Sequence, residues 1–181
     1  MTQFLTRRGL ILSATALAAQ TKTAAPAKTA ATTKRHLKVR LPGGKTLDTA
    51  QMVGSVCAVT IFKTTCPHCQ KSLPITEKIL GELGRKGFKS IGVAVDEGAE
   101  RLVLEFAKNY HINFPLGWAP IDEICTFLDL KPEQLYVPAM MIFDRSGKVR
   151  GRYPGGDSFF NMEELNLRNM VEMLLKEPRK A

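Results

Sequence analysis

The apolar positions of the chain fall into two kinds of run: short, almost continuous stretches bounded by turn residues, and longer stretches in which apolar residues recur every three or four positions. Residues 37–41 alternate Leu37, Lys38, Val39, Arg40, Leu41, then meet Pro42-Gly43-Gly44 and Lys45-Thr46-Leu47, a pattern that predicts a β-hairpin. Residues 56–62 are nearly all apolar, as expected of a strand covered on both faces. Residues 67–83 carry Leu73, Ile75, Ile79, Leu80 and Leu83 at broadly helical spacing, with Pro74 predicted to kink that helix. A further strand is predicted over 90–95. Helices follow over 100–109, with Leu102, Val103, Phe106 and Ala107 on one side, and over 121–128. Residues 139–143 read as a strand that Asp144-Arg145-Ser146-Gly147 turns into a partner over 148–153. A last helix over 162–176 presents Leu167, Met170, Val171, Leu174 and Leu175 inward.

Strand–helix–strand succession implies a parallel pair with a right-handed crossover, and the late hairpin adds antiparallel strands. The prediction is an α/β fold: a mixed central β-sheet flanked by helices on both faces, preceded by an N-terminal β-hairpin.

Ahead of this pattern, residues 1–19 have the order of a signal peptide. Thr6-Arg7-Arg8 is basic, residues 9–19 are an apolar stretch, and Ala16-Leu17-Ala18 offers a small-residue cleavage site. Eleven residues at ~1.5 Å each reach about 17 Å, short of the roughly 30 Å hydrocarbon core, so no permanent membrane span is predicted. The paired arginines before Gly9-Leu10-Ile11 resemble a twin-arginine signal, and a Sec signal also begins basic, so both routes stand. Residues 20–35 are low in complexity and offer only alanines to bury, so they read as a flexible linker. The folded domain is predicted over 36–178, working in the periplasm or as a secreted protein once the signal is removed.

Charge changes this picture less than its size suggests. The net charge is +9, but six basic residues and no acidic one lie before position 36, leaving 20 basic and 17 acidic residues after it. The excess belongs largely to the leader and linker, so nucleic acid is not an expected partner. Four cysteines in 181 residues are too few for a disulfide scaffold.

Two of those cysteines form Cys66-Pro67-His68-Cys69, just after a predicted buried strand and at the start of a predicted helix. Free amides at a helix start favour negative charge, so a thiolate at Cys66 is stabilised there. Pro67 suits the first helical position, where a missing N–H costs nothing. His68 can add a ring donor or a positive charge beside Cys66, and Cys69 lies a turn further in, placed to attack a mixed disulfide on Cys66. Cys57, inside the 56–62 strand, and Cys125, on the 121–128 helix, read as small buried hydrophobes, with a disulfide between them left open.

These residues resemble the TlpA/ResA-like group of extracytoplasmic thioredoxin-fold proteins. The likeness runs over about residues 37–177 and includes the hairpin, the strand–Cys66-Pro67-His68-Cys69 junction, Pro74, and Val137-Pro138 ahead of Ala139-Met140-Met141-Ile142-Phe143. The resemblance implies a thioredoxin fold and thiol–disulfide oxidoreductase activity without a cofactor or metal. It implies protein thiol or disulfide substrates, an upstream redox partner, and a cis Pro138 that with Val137 holds the substrate chain opposite the cysteines. It also implies an acid near the redox pair in Val93-Ala94-Val95-Asp96-Glu97, with Glu97 the better match and Asp96 the fallback. The chain departs from the pattern in three places. Thr60 stands where ordinary thioredoxins bury an Asp, Thr65 stands where many relatives have an aromatic residue, and Pro67-His68 is the pair found in the oxidant DsbA.

Two other chemistries fit the residues less well. A peroxiredoxin-type thiol peroxidase wants Pro seven residues and Thr or Ser three residues before its cysteine, where this chain has Val59 and Lys63. A copper-binding redox module could use two soft thiolates, but no second ligand pair is evident.

Overall fold

The computed structural model describes residues 35–178, so the signal peptide read at 1–19 and nearly all of the 20–35 linker lie outside the described residues. Seven strands form one sheet in the order β2-β1-β5-β4-β3-β6-β7. They are β1 (Lys38–Arg40), β2 (Thr46–Asp48), β3 (Val56–Phe62), β4 (Phe88–Ala94), β5 (Leu116–Trp118), β6 (Ala139–Phe143) and β7 (Val149–Tyr153). Four α-helices cover it: α1 (Pro67–Leu83), α2 (Ala99–Asn109), α3 (Ile121–Leu128) and α4 (Glu163–Lys176). β3 pairs parallel with β4 and β4 with β5, while β6 and β7 add antiparallel at one end and β1 and β2 at the other. This is the α/β mixed sheet that the sequence pattern predicts.

β3 is the centre of the molecule, buried at all seven positions. Strand side chains alternate between faces. Cys57, Val59 and Ile61 pack with Ile124, Phe127 and Leu128 of α3 on one face. Val56 and Ala58 meet Ile79, Leu83, Leu167, Val171 and Leu174 of α1 and α4 on the other. Phe62, further along that second face, joins Cys69, Leu73, Val103 and Phe106 of α1 and α2. A strand sandwiched in this way has no polar face, which is why its sequence reads as a continuous apolar run.

α1 runs unbroken through Pro74. The proline lacks the amide that would donate to the Gln70 carbonyl, and the helix continues on either side of it. β5 has no counterpart in the sequence prediction. It is three residues long, includes a glycine, and follows Pro115. Gly117 is required there: a Cβ would lie 2.2 Å from the Arg40 carbonyl oxygen, so only glycine lets β1 pair against β5. After α2, His111 takes a left-handed backbone (φ 54°) that ends the helix, and the Ile112 amide returns to the Ala107 carbonyl.

Candidate active site

Cys66-Pro67-His68-Cys69 sits where β3 gives way to α1. Cys66 is the residue capping α1, with an extended backbone (φ −84°, ψ 119°), and Pro67 is the first helical residue. No side chain caps this helix start, so its first amides are free to face the Cys66 sulfur. The connecting loop is tied down from several sides. The Cys66 amide donates to the Lys63 carbonyl at 3.1 Å, and the Gln70 side-chain amide donates to the Thr64 carbonyl at 3.0 Å. Asp96, just past the end of β4, accepts both the Thr64 amide (2.9 Å) and the Thr64 hydroxyl (2.8 Å). A bidentate carboxylate on a loop amide and hydroxyl is a charge-assisted clamp, stronger than a neutral hydrogen bond.

The two cysteines differ sharply in environment. Cys66 is half-buried; Cys69 is 0% exposed. Burial pushes the Cys69 thiol well up, partly opposed by the Lys63 backbone, while the neighbouring Cys66 and Asp96 push it further in the same direction. An accessible sulfur at a helix start next to a buried, protonated one is an arrangement in which the first sulfur could attack a disulfide and the second could resolve it.

Across from Cys66 lies the segment before β6. The Val137–Pro138 peptide is cis, and the Cys66 thiol points at the Val137 carbonyl oxygen at 3.7 Å. Pro138 is buried, Val137 half-buried, and Tyr136 exposes 66% of its surface beside them. The loop after β7 closes on this segment at Gly155, where a Cβ would lie 2.3 Å from the Tyr136 carbonyl carbon and oxygen.

The sequence-predicted residues are therefore placed as follows. Cys66, Pro67, His68, Cys69, Val137 and Pro138 converge on one end of the sheet, with Pro67 and His68 exposed. Of the two acids, Asp96 is the one that grips the motif loop, whereas Glu97 is exposed and has no hydrogen bond or ion pair among the described residues. Thr60, in place of a buried acid, is fully buried, and its hydroxyl has no partner. Cys57 and Cys125 are buried free thiols. Burial pushes Cys57 up to about 12, and its sulfur lies 2.9 Å from the Met52 sulfur. Among the described residues no group of three or more His, Cys, Asp or Glu side chains could hold a metal ion, and no helix is long and apolar enough to cross a membrane.

Sequence reasoning did not find Thr64 or Gly155. Pro154-Gly155-Gly156 is a usable signal for a close backbone approach. Thr64 carries none, because a loop threonine is an ordinary surface residue in sequence.

Comparison with known proteins gives the same picture. The family model described as the AhpC/TSA family matches residues 22–152. Among curated relatives, the chain is similar to the thiol-disulfide oxidoreductase ResA of Halalkalibacterium halodurans, 24% identical over 137 residues that cover 74% of this chain and 70% of ResA. A thiol:disulfide interchange protein of the thioredoxin family from Chlorobium tepidum TLS superposes with a TM-score of 0.67 at 25% identity, covering 82% of this chain and 99% of its own. The thioredoxin domain of a thiol-disulfide oxidoreductase from Bacteroides vulgatus superposes with a TM-score of 0.64 at 19% identity, covering 82% of this chain and 100% of its own, a likeness of fold. The mixed sheet with its helix-capping Cys66 is thus a thioredoxin fold, and with most of its length matched by the family model the chain belongs to the AhpC/TSA family.

Proposed function

We propose that this protein is an extracytoplasmic thiol–disulfide oxidoreductase that exchanges disulfides with protein substrates through Cys66 and Cys69. The observation that carries this reading is the contrast between the two sulfurs: Cys66 is accessible and faces the Val137 carbonyl, while Cys69 is fully buried one turn behind it. The names of ResA and of the Chlorobium interchange protein support the activity, and the basic, apolar leader at 1–19 supports export.

In the mechanism these features suit, Cys66, accessible at the start of α1, attacks a substrate disulfide. The mixed disulfide holds the substrate against Tyr136, Val137 and Pro138, where an extended chain can lie along the exposed backbone. Cys69 then attacks the Cys66 sulfur, releasing the substrate thiol and leaving the Cys66–Cys69 disulfide. The reverse sequence oxidises a substrate dithiol, and an upstream redox partner resets the pair. Asp96 positions the loop through Thr64. Glu97, exposed beside it, and His68, exposed in the first turn of α1, bear on the charge around the pair from the solvent side.

Single-cysteine variants test the reading. Cys66→Ser should abolish reduction of a protein disulfide, and Cys69→Ser should accumulate a mixed disulfide with the substrate, visible as a thiol-sensitive mass increase. Activity surviving in Cys66→Ser, or a Cys69→Ser protein that traps nothing, overturns the roles. Hydrogen peroxide consumed faster than protein disulfide would instead make the chain a thiol peroxidase.

A further inference from the structure

The face of α1 that looks into the protein is not uniformly apolar. Cys69, Ser72, Leu73, Thr76, Ile79 and Leu83 are its buried residues, and the polar ones follow Cys69 at helical spacing. Cys69 and Leu73 pack into the apolar cluster shared with α2, and Ile79 and Leu83 into the one shared with α4. Ser72 and Thr76 fall between the two. Beneath them, Thr60 of β3 points to the same side of the sheet as Ala58 and Phe62, because alternate residues share a face. The hydroxyls of Thr60 and Thr76 are buried without partners.

Into this seam α4 delivers a carboxylic acid. Glu163, the first residue of α4, is 7% exposed, and one of its oxygens accepts the Ser72 hydroxyl at 2.5 Å. Its position at a helix start favours the carboxylate, yet burial dominates and holds its pKa above the ordinary carboxylate range, with the Ser72 bond only partly opposing this. The charged residues where the two helices meet are engaged with each other: Lys78 with Glu164, and Arg168 with Glu82 and Glu164. From the sheet side, the titratable groups are Asp96 just past β4, which with Cys66 acts on the Cys69 thiol, and Tyr153 of β7, which stacks on Phe159 of the 3-10 helix (Ser158–Met162) leading into α4; Asp157 caps that short helix. On the buried face of α1 itself, Cys69 is the one titratable residue.

We propose that Glu163, acting through the Ser72 hydroxyl, is the positioning carboxylate that accepts the proton of Cys69 when Cys69 resolves a mixed disulfide. The proposal rests on the thiol–disulfide reading above and names the buried acid for it. A thiol as deeply buried as Cys69 is a poor nucleophile until its proton leaves, and Ser72 lies one helical turn away on the same face with its hydroxyl already aimed at a carboxylate. In the resolving step the Cys69 proton passes to the Ser72 oxygen as the Ser72 proton passes to Glu163. A bond forms between the Cys69 and Cys66 sulfurs, and the bond between Cys66 and the substrate sulfur breaks. The electron pair leaves with the substrate sulfur, which takes a proton from solvent. The dithiol loses two electrons and the substrate disulfide gains them, so no further oxidant is needed. Glu163, pressed towards its neutral form by burial, returns the proton when the pair is reduced again.

The full chain, reduced and mixed with dithio-bis-nitrobenzoate, separates the two steps: attack by Cys66 releases one thionitrobenzoate, and resolution by Cys69 releases the second. Glu163→Gln, which keeps shape and removes the acid, should leave the first release unchanged and slow the second about 10²-fold at neutral pH, at the lower end of what a general base contributes. The inflection due to the carboxyl should vanish from the rate–pH profile of the second release. Ser72→Ala should reproduce this loss, and Ser72→Thr should restore the rate. A wild-type second rate and profile in Glu163→Gln overturns the proposal, as does an equal slowing of both releases. If wild-type Cys66 fails to release thionitrobenzoate at all, it is the exchange reading that fails. The Glu163 coupling is then decided by the Cys69 Cβ resonance of the reduced chain, whose pH profile should carry a step that Glu163→Gln removes; no step overturns the coupling.

Discussion

Gly155→Ala is a one-carbon change outside the redox motif that should damage exchange with protein substrates while leaving the nucleophile intact. The glycine has no left-handed backbone requirement, so alanine's own conformational preferences do not oppose it. The obstacle is the neighbour. The new Cβ would stand 2.3 Å from the Tyr136 carbonyl carbon and oxygen and 2.5 Å from its Cβ, where ordinary contact begins at 3.4 Å. The carbonyl atoms are main chain and the Cβ is fixed to it, so none can rotate away, and the 136–138 segment must retreat by about 1 Å, a displacement of the size that overpacked sites force at a cost of ~1–3 kcal/mol. Val137 follows Tyr136 directly, and its carbonyl already sits 3.7 Å from the Cys66 sulfur. Moving it further off breaks that contact and misplaces the ledge on which a substrate chain would lie. A misplacement of roughly 1 Å can cost up to about 10²-fold in rate, so reduction of a protein disulfide should fall at least tenfold. The Cys66 loop is anchored separately, through Thr64 to Asp96, so alkylation of Cys66 by a small reagent should keep its wild-type rate. Urea unfolding measures the stability loss alongside. Wild-type protein-disulfide turnover in Gly155→Ala would refute the reasoning, and an equal loss of alkylation would show that the damage is not confined to the substrate ledge.

Two further predictions follow from charge. His68→Thr should lower the reduction potential of the Cys66–Cys69 pair by about 30 mV or more, since a tenfold weaker preference for the dithiol corresponds to roughly that value; a glutathione redox titration reads it, and an unchanged potential removes His68 as the tuning residue. Asp144, in the β6–β7 turn, is pushed up by burial but held below the ordinary carboxylate range by the Ser146 hydroxyl, the Ser146 and Lys148 amides, and Arg150. The folded chain therefore releases this proton more readily than the unfolded one, so the contribution of Asp144 is present above the unfolded carboxylate range and is lost as pH falls towards the folded value. Asp144→Asn should cost about 1–2 kcal/mol at neutral pH and flatten the fall of stability with acid, measured by denaturant unfolding across pH; an equal loss at all pH values would contradict this.

The sequence by itself determined the layers of this protein and the place of Cys66 and Cys69 at a strand–helix junction. β3 reads as a strand because every one of its side chains is buried, and α1, α2 and α4 read as helices because each buries one stripe. Cys66 is legible as a helix-start cysteine because strand, turn, proline and helix all fall within a few residues, and local geometry is written in local sequence. Tertiary structure decided the rest. β5 is held by pairing with β4 and by the close approach of Arg40 to Gly117, contacts between segments far apart in the chain. The choice of Asp96 over Glu97 turned on which of two adjacent acids faces Thr64, and neighbouring residues at a strand end point in different directions. Nothing in the sequence distinguishes Glu163 from the solvated Glu164 beside it. Only the packing of α4 against α1 sends one carboxyl into the core to meet Ser72 and leaves the other at the surface with Lys78 and Arg168, because burial belongs to the contact between helices and not to the residue.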